Sequence, residues 1–466
     1  MTTRPFSPLQ SQGRWTALLL IAVLLPAVAA AQQGNASLVS SAASPSGESL
    51  TFTRDIVPIF QENCQVCHQP GAIAPMSLMT YDEVRPWTQV IKLKVATQEM
   101  PPYHYDTNIG IQELKHDKRL SREEIEAIVS WVDDGAPMGD PADLPPPVEW
   151  PDATEWRLAA ELGEPDHVIA STPYDVPATG QDIWWQPRVE SGITEERCIK
   201  AMEVKPSVAG RAVAHHANPY WWLRNEDGSL EERRGIAITE YALGKLGEVI
   251  PEDACRITPP NSQVSWDIHY YPSGEDLVND VVELGIWFHP PDYKPKYQQS
   301  LRTYFLNGHV EMDRSIDLPP HGTVMTQGFH TFDTPVRIDS FQPHGHLRLK
   351  AMSMEIFYPE ENRREVVSMV SNWNPRWHLS HLFEDDVAPL LPTGAVMILT
   401  GWYDNTAENP HNPDPDQWVN WGQRTTDEMS HGWIAVTHLD EAGYEALLAE
   451  RESEQESDRL AEAGGR

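Results

Sequence analysis

Short β-forming runs separated by turn residues fill the chain from Val168 to Leu439. Val, Ile, Tyr, Phe and Trp recur within the runs, and Pro, Gly, Asn and Asp stand between them. The 40 prolines among 466 residues argue against long helices, because proline lacks the N–H that a helix needs. Such spacing favours antiparallel sandwiches over alternating strands and helices. The sequence therefore predicts a mainly β protein with two sandwiches and a break within Asp317 to Val324.

The region before these runs has a different composition. Segment 51–140 contains two stretches with helical spacing, "FTRDIVPIFQENC" and "SREEIEAIVSWVDDGAP". The second opens with Ser121 and has Glu124 three residues later, which is the pattern of a capping box. These helices bracket a small all-α domain, and the Pro-rich segment 141–152 is a stiff linker. The later segments are the first sandwich at 153–320, the second sandwich at 321–440 and a charged helical tail at 441–466.

Segment 1–31 predicts export. Two arginines precede an apolar run from Ala17 to Ala31 that ends in small residues, as in a secretory signal peptide. Pro26 interrupts this run, which is shorter than the roughly 20 residues needed to span a bilayer, so cleavage is favoured over an uncleaved anchor. Segment 32–50 is predicted to be a flexible tether. We expect a periplasmic or secreted protein without stable membrane insertion.

The formal net charge of −34 is spread along the chain. This charge argues against nucleic acid or an anionic membrane surface as a partner. In an oxidising compartment Cys198 and Cys255 could pair, but the sequence does not show that their Cα atoms are close enough. Whether Cys198 and Cys255 form a disulfide is therefore not decided by the sequence.

The pentapeptide C-x-x-C-H occurs once, in "ENCQVCHQP", with Cys64, Cys67 and His68. Two thiols at this spacing can each add to a vinyl group of one porphyrin, and the adjoining histidine then ligates the iron. A zinc pair or a redox dithiol is the alternative, but no second Cys pair completes a zinc site and no thioredoxin-like βαβ pattern surrounds the first. The sequence thus predicts one covalent haem c and a cytochrome c domain at 51–140.

The sixth ligand of that haem is predicted to be Met100, in "EMPPYH". The two following prolines would hold a ligand loop rigidly, and the segment resembles the Met-Pro loop of small bacterial c-type cytochromes. Met76 and His104 remain as alternatives.

Two histidine pairs in the β region have the spacing of metal ligands. His344 and His346 are alternate residues, which point to the same face of a strand and can converge on one metal. Two solvated histidines on an edge strand are the competing interpretation. His215 and His216 are neighbours, so both reach one metal only at a bulge or at a strand end, which the following Asn218-Pro219 would permit. Taken alone, His269 would be a core histidine, and Met429 would be unremarkable.

Together these motifs resemble the copper type II, ascorbate-dependent monooxygenases, the family of peptidylglycine α-hydroxylating monooxygenase and dopamine β-monooxygenase. "HH", "IHY", "HGH" and "DEM" occur in that order within about 165–440. The phrase "YDNTAENPHNPDPDQWVNWGQRTTDEM" resembles the stretch that leads to the methionine ligand in bacterial relatives. The resemblance implies two jelly-roll-like β-sandwiches with one copper ion on each. It places the first copper on His215, His216 and His269, and the second on His344, His346 and Met429.

The resemblance also implies a chemistry. Three imidazoles suit a copper that shuttles electrons, whereas two imidazoles with a thioether favour Cu(I) and leave a position for O₂. We therefore expect an exported copper monooxygenase that hydroxylates a small organic substrate, with a cleft for that substrate between the sandwiches. The fused haem would pass on electrons from an external donor or an ascorbate-like reductant.

Other interpretations remain. One is a periplasmic electron-transfer or copper-binding protein without oxygenase activity, and another is a binding module whose sandwiches recognise a partner. The family's peptide and catecholamine substrates do not carry over, because no residue set for them stands out. Gly345 is a flexible residue within the H-x-H motif that could loosen the site. Other histidines are expected to be structural or to support the ligands: His309, His330, His378, His381 and His431.

Overall fold

The computed structural model describes residues 49–464 except 73, 104, 151, 226, 231–234, 243, 244, 246 and 307–315. The predicted signal peptide and all but the last two residues of the tether lie outside the described residues. A small helical region precedes a mainly β region, so the prediction of a mainly β protein is confirmed. Within the described part of the chain, no helix is both long and apolar enough to cross a membrane.

The N-terminal helical region packs around one apolar core. A π-helical turn, Phe52–Ile56, leads directly into α1, and Trp131 of α4 is fully buried against it. Burying a large apolar side chain of this kind stabilises the fold by about 1.5–3 kcal/mol. The α-helices of the described residues are α1 Val57–Asn63, α2 Tyr81–Val84, α3 Thr88–Ala96, α4 Arg122–Asp133, α5 Ala159–Leu162 and α6 Glu441–Gly464.

The capping box at the start of α4 is confirmed. The Ser121 hydroxyl accepts the Glu124 N–H at 3.2 Å, and the Glu124 carboxylate accepts the Ser121 N–H at 2.7 Å. Both bonds satisfy donors that a helix start leaves unpaired. The predicted helical tail is also present, as α6.

The strands follow the predicted short runs. In chain order they are β1 His167–Ala170, β2 Tyr174–Val176, β3 Ile183–Trp185, β4 Arg188–Glu190, β5 Cys198–Pro206, β6 Ala214–Trp222, β7 Ile236–Ala237, β8 Tyr241–Ala242, β9 Glu248–Val249, β10 Ala254–Ile257, β11 Gln263–Tyr270 and β12 Leu277–Asp280. The second half contains β13 Val282–Phe288, β14 Tyr297–Phe305, β15 Asp317–Leu318, β16 Thr323–Thr331, β17 Val336–His344, β18 Leu349–Tyr358, β19 Arg363–Val370, β20 His381–Leu382, β21 Leu390–Leu391, β22 Val396–Asp404, β23 Val419–Asn420 and β24 His431–His438.

One large sheet runs through both halves of the β region. Its order is β1-β13-β5-β10-β14-β24-β17-β20, with β9 beside β5 and β21 beside β17. A sheet with order β3-β11-β6-β7, joined by β4 and β8, belongs to the first half, and the sheet β16-β22-β18-β19 belongs to the second. Strand β24 pairs with both β14 and β17, so it links the halves through backbone hydrogen bonds.

Each half has its own apolar core. The first core contains Trp266 and Ile268, and the second contains Phe341 and Leu399, all almost fully buried. Cys198 and Cys255 form a disulfide between β5 and β10, with Cα atoms 5.6 Å apart. This resolves the pairing that the sequence left open, and a disulfide is typical of proteins that mature in an oxidising compartment.

The segment between α3 and α4 attaches the helical region to the second half. The N–H groups of Asp106 and Ile111 donate to the carbonyls of Met369 and Val367 at 2.7 and 2.9 Å. Gly110 has a φ of +76°, a conformation that other residues rarely adopt, and an added Cβ there would lie 2.2 Å from the Val367 carbonyl oxygen. The backbones therefore approach each other closely at a position that requires glycine.

Candidate metal centre

The first histidine set lies on two paired strands. His216 of β6 and His269 of β11 are directly opposite each other in the ladder. The next pair is Ala214 with Tyr270, so His215 is the extra residue of a β-bulge. A bulge turns a neighbouring side chain toward the same face, which is how adjacent histidines reach one site. Of the two routes that the sequence allowed, the bulge is the correct one, because β6 continues through Asn218-Pro219.

The geometry of this set fits one metal ion. The Nδ1 atoms of His215 and His216 lie 3.3 Å apart, and one ring nitrogen from each of the three histidines lies within 4.8 Å of the others. Two imidazole nitrogens bound at about 2.0–2.1 Å to one tetrahedral ion lie about 3.3 Å apart. The Asp182 carboxylate lies 3.4 Å from Nε2 of His269.

Burial keeps these imidazoles neutral, the form that binds metals. Burial and the neighbouring His346 lower the pKa of His215 to about 4. Burial and His215 likewise lower the pKa of His269 to about 4, and burial holds the pKa of His216 well below its usual value. Trp184 covers His269 in a stacked arrangement with ring centroids 4.4 Å apart.

The second set comes from three separate backbone positions. His344 is the last residue of β17, His346 follows just beyond the strand end, and Met429 precedes β24. The rings of His344 and His346 have centroids 5.7 Å apart. Nδ1 of His346 lies 3.2 Å from the Asp427 carbonyl, so Nδ1–H donates there and Nε2 keeps its lone pair. Burial lowers the pKa of His346 to about 4.

A buried carboxylate holds this second set together. Glu428 is fully buried, and its carboxylate accepts the backbone N–H groups of His346, Arg348 and Met429, the last two at 2.9 Å. Burial raises the pKa of Glu428 to about 7, against the opposing effect of these donors. One side chain thus fixes the backbone on both sides of the site. Glu428 is part of the "DEM" motif, but its role was not recognised from the sequence.

Gly345 is required by packing rather than by flexibility. An added Cβ at this position would lie 2.7 Å from Cδ2 and 2.9 Å from Cβ of Leu349, a residue of the second core. Any larger side chain would push Leu349 away and move the adjacent ligands. The close packing against Leu349 therefore favours glycine at this position.

Both sets line the same cavity. It encloses about 820 Å³, its open mouth included, and contains all six sequence-predicted ligands of the β region. His378 and His431, which were expected to be structural or to support the ligands, line it as well. His378 is 3% exposed, and its ring centroid lies 5.0 Å from that of His215 and 4.8 Å from that of His344.

The other histidines lie elsewhere. Nε2 of His330 lies 3.0 Å from the Phe305 carbonyl, and Nδ1 of His381 lies 3.1 Å from the Ser368 hydroxyl. His309 lies outside the described residues.

The C-x-x-C-H segment follows α1 as a tight turn. Cys67 and His68 donate their N–H groups to the Cys64 carbonyl at 3.1 and 3.0 Å, and both cysteines are free thiols. Burial raises the pKa of Cys64 to about 12 and also raises that of Cys67. Nδ1 of His68 lies 3.1 Å from the Met76 carbonyl, so Nε2 is left with its lone pair for a metal.

The three residues considered as the sixth haem ligand lie in different places. Met100 follows α3 and lines a cavity with Val95 and Ile125. Met76 packs against the helical core beside His68, and His104 lies outside the described residues. The role of Met100 stays a prediction.

The turn with the free thiols lies against the first half of the β region. Cys67 lines a small cavity together with Tyr241 and Ala242 of β8. Ala242 is the direct ladder partner of His216. One strand therefore separates Cys67 from the first histidine set, and adjacent strands are about 4.8 Å apart. Arg211 adds a second contact, donating to the Gly71 carbonyl at 3.0 Å.

No family model and no curated protein matches this chain. Among solved structures, it is similar to the major capsid protein P2 of bacteriophage PM2, with 10% identity over 59% of this chain and 99% of that one, at a TM-score of 0.27. N-glycanase F (PNGase F) has 10% identity over 59% and 96%, at 0.23. The VP2 subviral particle of infectious bursal disease virus has 9% identity over 61% and 74%, at 0.19. Similarities this weak support no statement about fold or activity.

Proposed function

We propose that this chain is an exported copper-dependent monooxygenase that hydroxylates a small organic substrate with O₂ and receives electrons through a fused haem c domain. The observation that carries the proposal is the shared cavity, in which five histidines and Met429 converge from strands β6, β11 and β17 and from the loops that follow β17 and precede β24. Burying so many imidazoles together is costly unless their nitrogens have partners, since buried polar groups need hydrogen bonds or a metal. The arrangement is best explained by metal binding.

The donor sets fit copper. His215, His216 and His269 provide three neutral imidazoles, which suit Cu(II) and Cu(I) alike. His344 and His346 with the thioether of Met429 make a softer set that favours Cu(I). Copper held there would supply one-electron redox chemistry and the activation of O₂. The chain's own contribution is to keep the imidazoles neutral, to fix the tautomer of His346 through the Asp427 carbonyl, and to limit the access of water.

The helical region fits a covalent haem. Cys64 and Cys67 are free thiols on one turn, and His68 is held by the Met76 carbonyl with Nε2 available to iron. Haem attached there would supply a one-electron carrier. Because Cys67 and Ala242 line one small cavity, this carrier would lie one strand away from the first histidine set. The position favours electron entry at that set.

The proposal also covers the fold of each region, the partners and the location of the protein. We assign the helical region as a cytochrome c domain and the two β halves as jelly-roll-like sandwiches. The partners would be O₂, a small organic substrate and an external electron donor or ascorbate-like reductant. The disulfide between Cys198 and Cys255 supports a periplasmic or secreted location.

Metal analysis followed by oxygen uptake tests the proposal. The exported protein should contain one covalent haem and two coppers, and a panel of candidate small substrates with ¹⁸O₂ should yield a product that carries one labelled oxygen atom. Two coppers without substrate-dependent O₂ consumption would favour the electron-transfer or copper-binding alternative. A protein without copper would favour the binding module and contradict the proposal.

A further inference from the structure

His378 lies between the two histidine sets, on the connection from β19 to β20. Its ring has centroid distances of 5.0 Å to His215 and 4.8 Å to His344. These neighbours belong to different halves of the β region, so His378 stands where the halves meet. At 3% exposure it is as buried as a core residue.

The nitrogen positions are those of two ligands on one ion. Nδ1 of His378 lies 3.1 Å from Nδ1 of His344. In the first set the corresponding distance between His215 and His216 is 3.3 Å. Both values match the spacing of about 3.3 Å expected for two imidazoles on one tetrahedral ion. The pair His344 and His378 therefore repeats the geometry of the first set.

His431 provides a contrast in the same cavity. Its ring stacks on His344 with centroids 4.5 Å apart, so proximity alone would make it an equal candidate. However, Nε2 of His431 accepts the indole N–H of Trp433 at 3.1 Å. A neutral imidazole whose Nε2 accepts a hydrogen bond carries its proton on Nδ1, so neither nitrogen offers a lone pair to a metal. His431 therefore stacks on His344 and does not bind the metal.

We propose that His378 is a further ligand of the second metal site, beside His344, His346 and Met429. This inference rests on the proposed function, because it assumes that the second set binds copper. It would give that site three imidazoles and one thioether. It also places a ligand of the second site in contact with His215 of the first, so that the two sites meet at one histidine rather than across an open cleft.

The test compares the same substitution at two positions, His378→Phe and His431→Phe. Phenylalanine keeps an aromatic ring and removes the nitrogens. Copper per protein, Cu(I) affinity by competition with a chromophoric chelator, and the number of imidazole nitrogens per copper by X-ray absorption are measured for both variants and the wild type. We expect His378→Phe to weaken the second copper by at least about 10-fold and to lower the nitrogen count. His431→Phe should keep both coppers and the count.

A second pair of variants separates ligation from packing. His378→Met and His378→Leu are close in volume, but Met alone offers a soft donor to Cu(I). A ligand role predicts that the Met variant binds the second Cu(I) more tightly than the Leu variant, while an equal loss in both would contradict it. Wild-type protein with two coppers and a His378→Phe variant of unchanged affinity would overturn this inference alone. Wild-type protein without copper would overturn the proposed function as well.

Discussion

The two ligand sets are built in different ways. The first takes all three histidines from β6 and β11, so strand register and a single bulge determine where the side chains point. The second takes its residues from a strand end, a turn and a loop, and the carboxylate of Glu428 ties their backbones together. The first set therefore depends on backbone pairing, whereas the second depends on one buried side chain and is the easier of the two to disturb.

The largest effect is expected from His344→Ala. This substitution removes the residue that contacts both His378 and His431, and it should eliminate the second copper and all O₂ consumption. The first copper should remain, because no residue of β6 or β11 changes. Copper analysis should find one ion per protein with an unaltered haem spectrum. Surviving oxygenase activity would show that the second set is not the oxygen site.

Glu248→Gln tests whether stability and ligand geometry are separable. Glu248 forms a buried ion pair with Arg256, which also donates to Gln299 and to the Ile238 carbonyl. Leaving Arg256 without its carboxylate should cost about 3–5 kcal/mol in the free energy of unfolding, measured by urea denaturation. At temperatures where the variant is folded, copper affinity at both sets should stay unchanged. If a folded Glu248→Gln variant lost copper from the first set, strand register alone would not be what positions its histidines.

The same pair predicts a pH dependence. Arg256 and Lys245 lower the pKa of Glu248 to about 2 against the effect of burial. Because the folded-state pKa lies below the unfolded value of 4.5, this stabilisation is present above about pH 4.5 and is lost as the pH falls toward 2. Unfolding free energies measured across this window should fall less steeply in Glu248→Gln than in the wild type. Equal slopes of the unfolding free energy against pH in the two proteins would contradict the lowered pKa of Glu248.

Glu428→Gln should act on the second set alone. The amide offers one acceptor oxygen and places an NH₂ group against a backbone N–H that the carboxylate now accepts. We expect about 10–100-fold weaker binding of the second copper and no change in the first, by Cu(I) competition. Asp427→Asn is the matched control, since the Asp427 carboxylate binds the exposed Arg424 and its carbonyl to His346 is kept. Equal losses in both variants would argue against a special role for Glu428.

The smallest effect is expected from Asp182→Asn in the first set. Asp182 lies 3.4 Å from Nε2 of His269 and also accepts the Thr425 hydroxyl at 2.6 Å. Removing its charge should weaken the first copper by less than about 10-fold, because the strand register still positions all three histidines. Thr425→Val removes the hydroxyl and leaves the carboxylate, so it should have no effect on copper affinity. If Asp182→Asn lost more copper affinity than Glu428→Gln, the first set rather than the second would be the easier one to disturb.

Local patterns in the sequence were sufficient for part of the site. Adjacent histidines required a bulge or a strand end, and the bulge at His215 is present. The Ser121 capping box and the helical tail were also readable, since both depend on neighbours along the chain. His378 could not be found this way, because its partners His215 and His344 are distant in sequence and no spacing rule connects them. The pairing of β24 with both β14 and β17 is equally non-local.

The most direct test of the central claim measures how fast the haem is oxidised. Anaerobically reduced protein with both coppers is mixed with O₂ in a stopped-flow instrument, and haem oxidation is recorded beside copper-depleted protein and His344→Ala. If the haem supplies electrons to copper that reacts with O₂, the copper-loaded wild type should oxidise its haem rapidly, and both comparison proteins should do so slowly. Equal rates in all three would contradict the account.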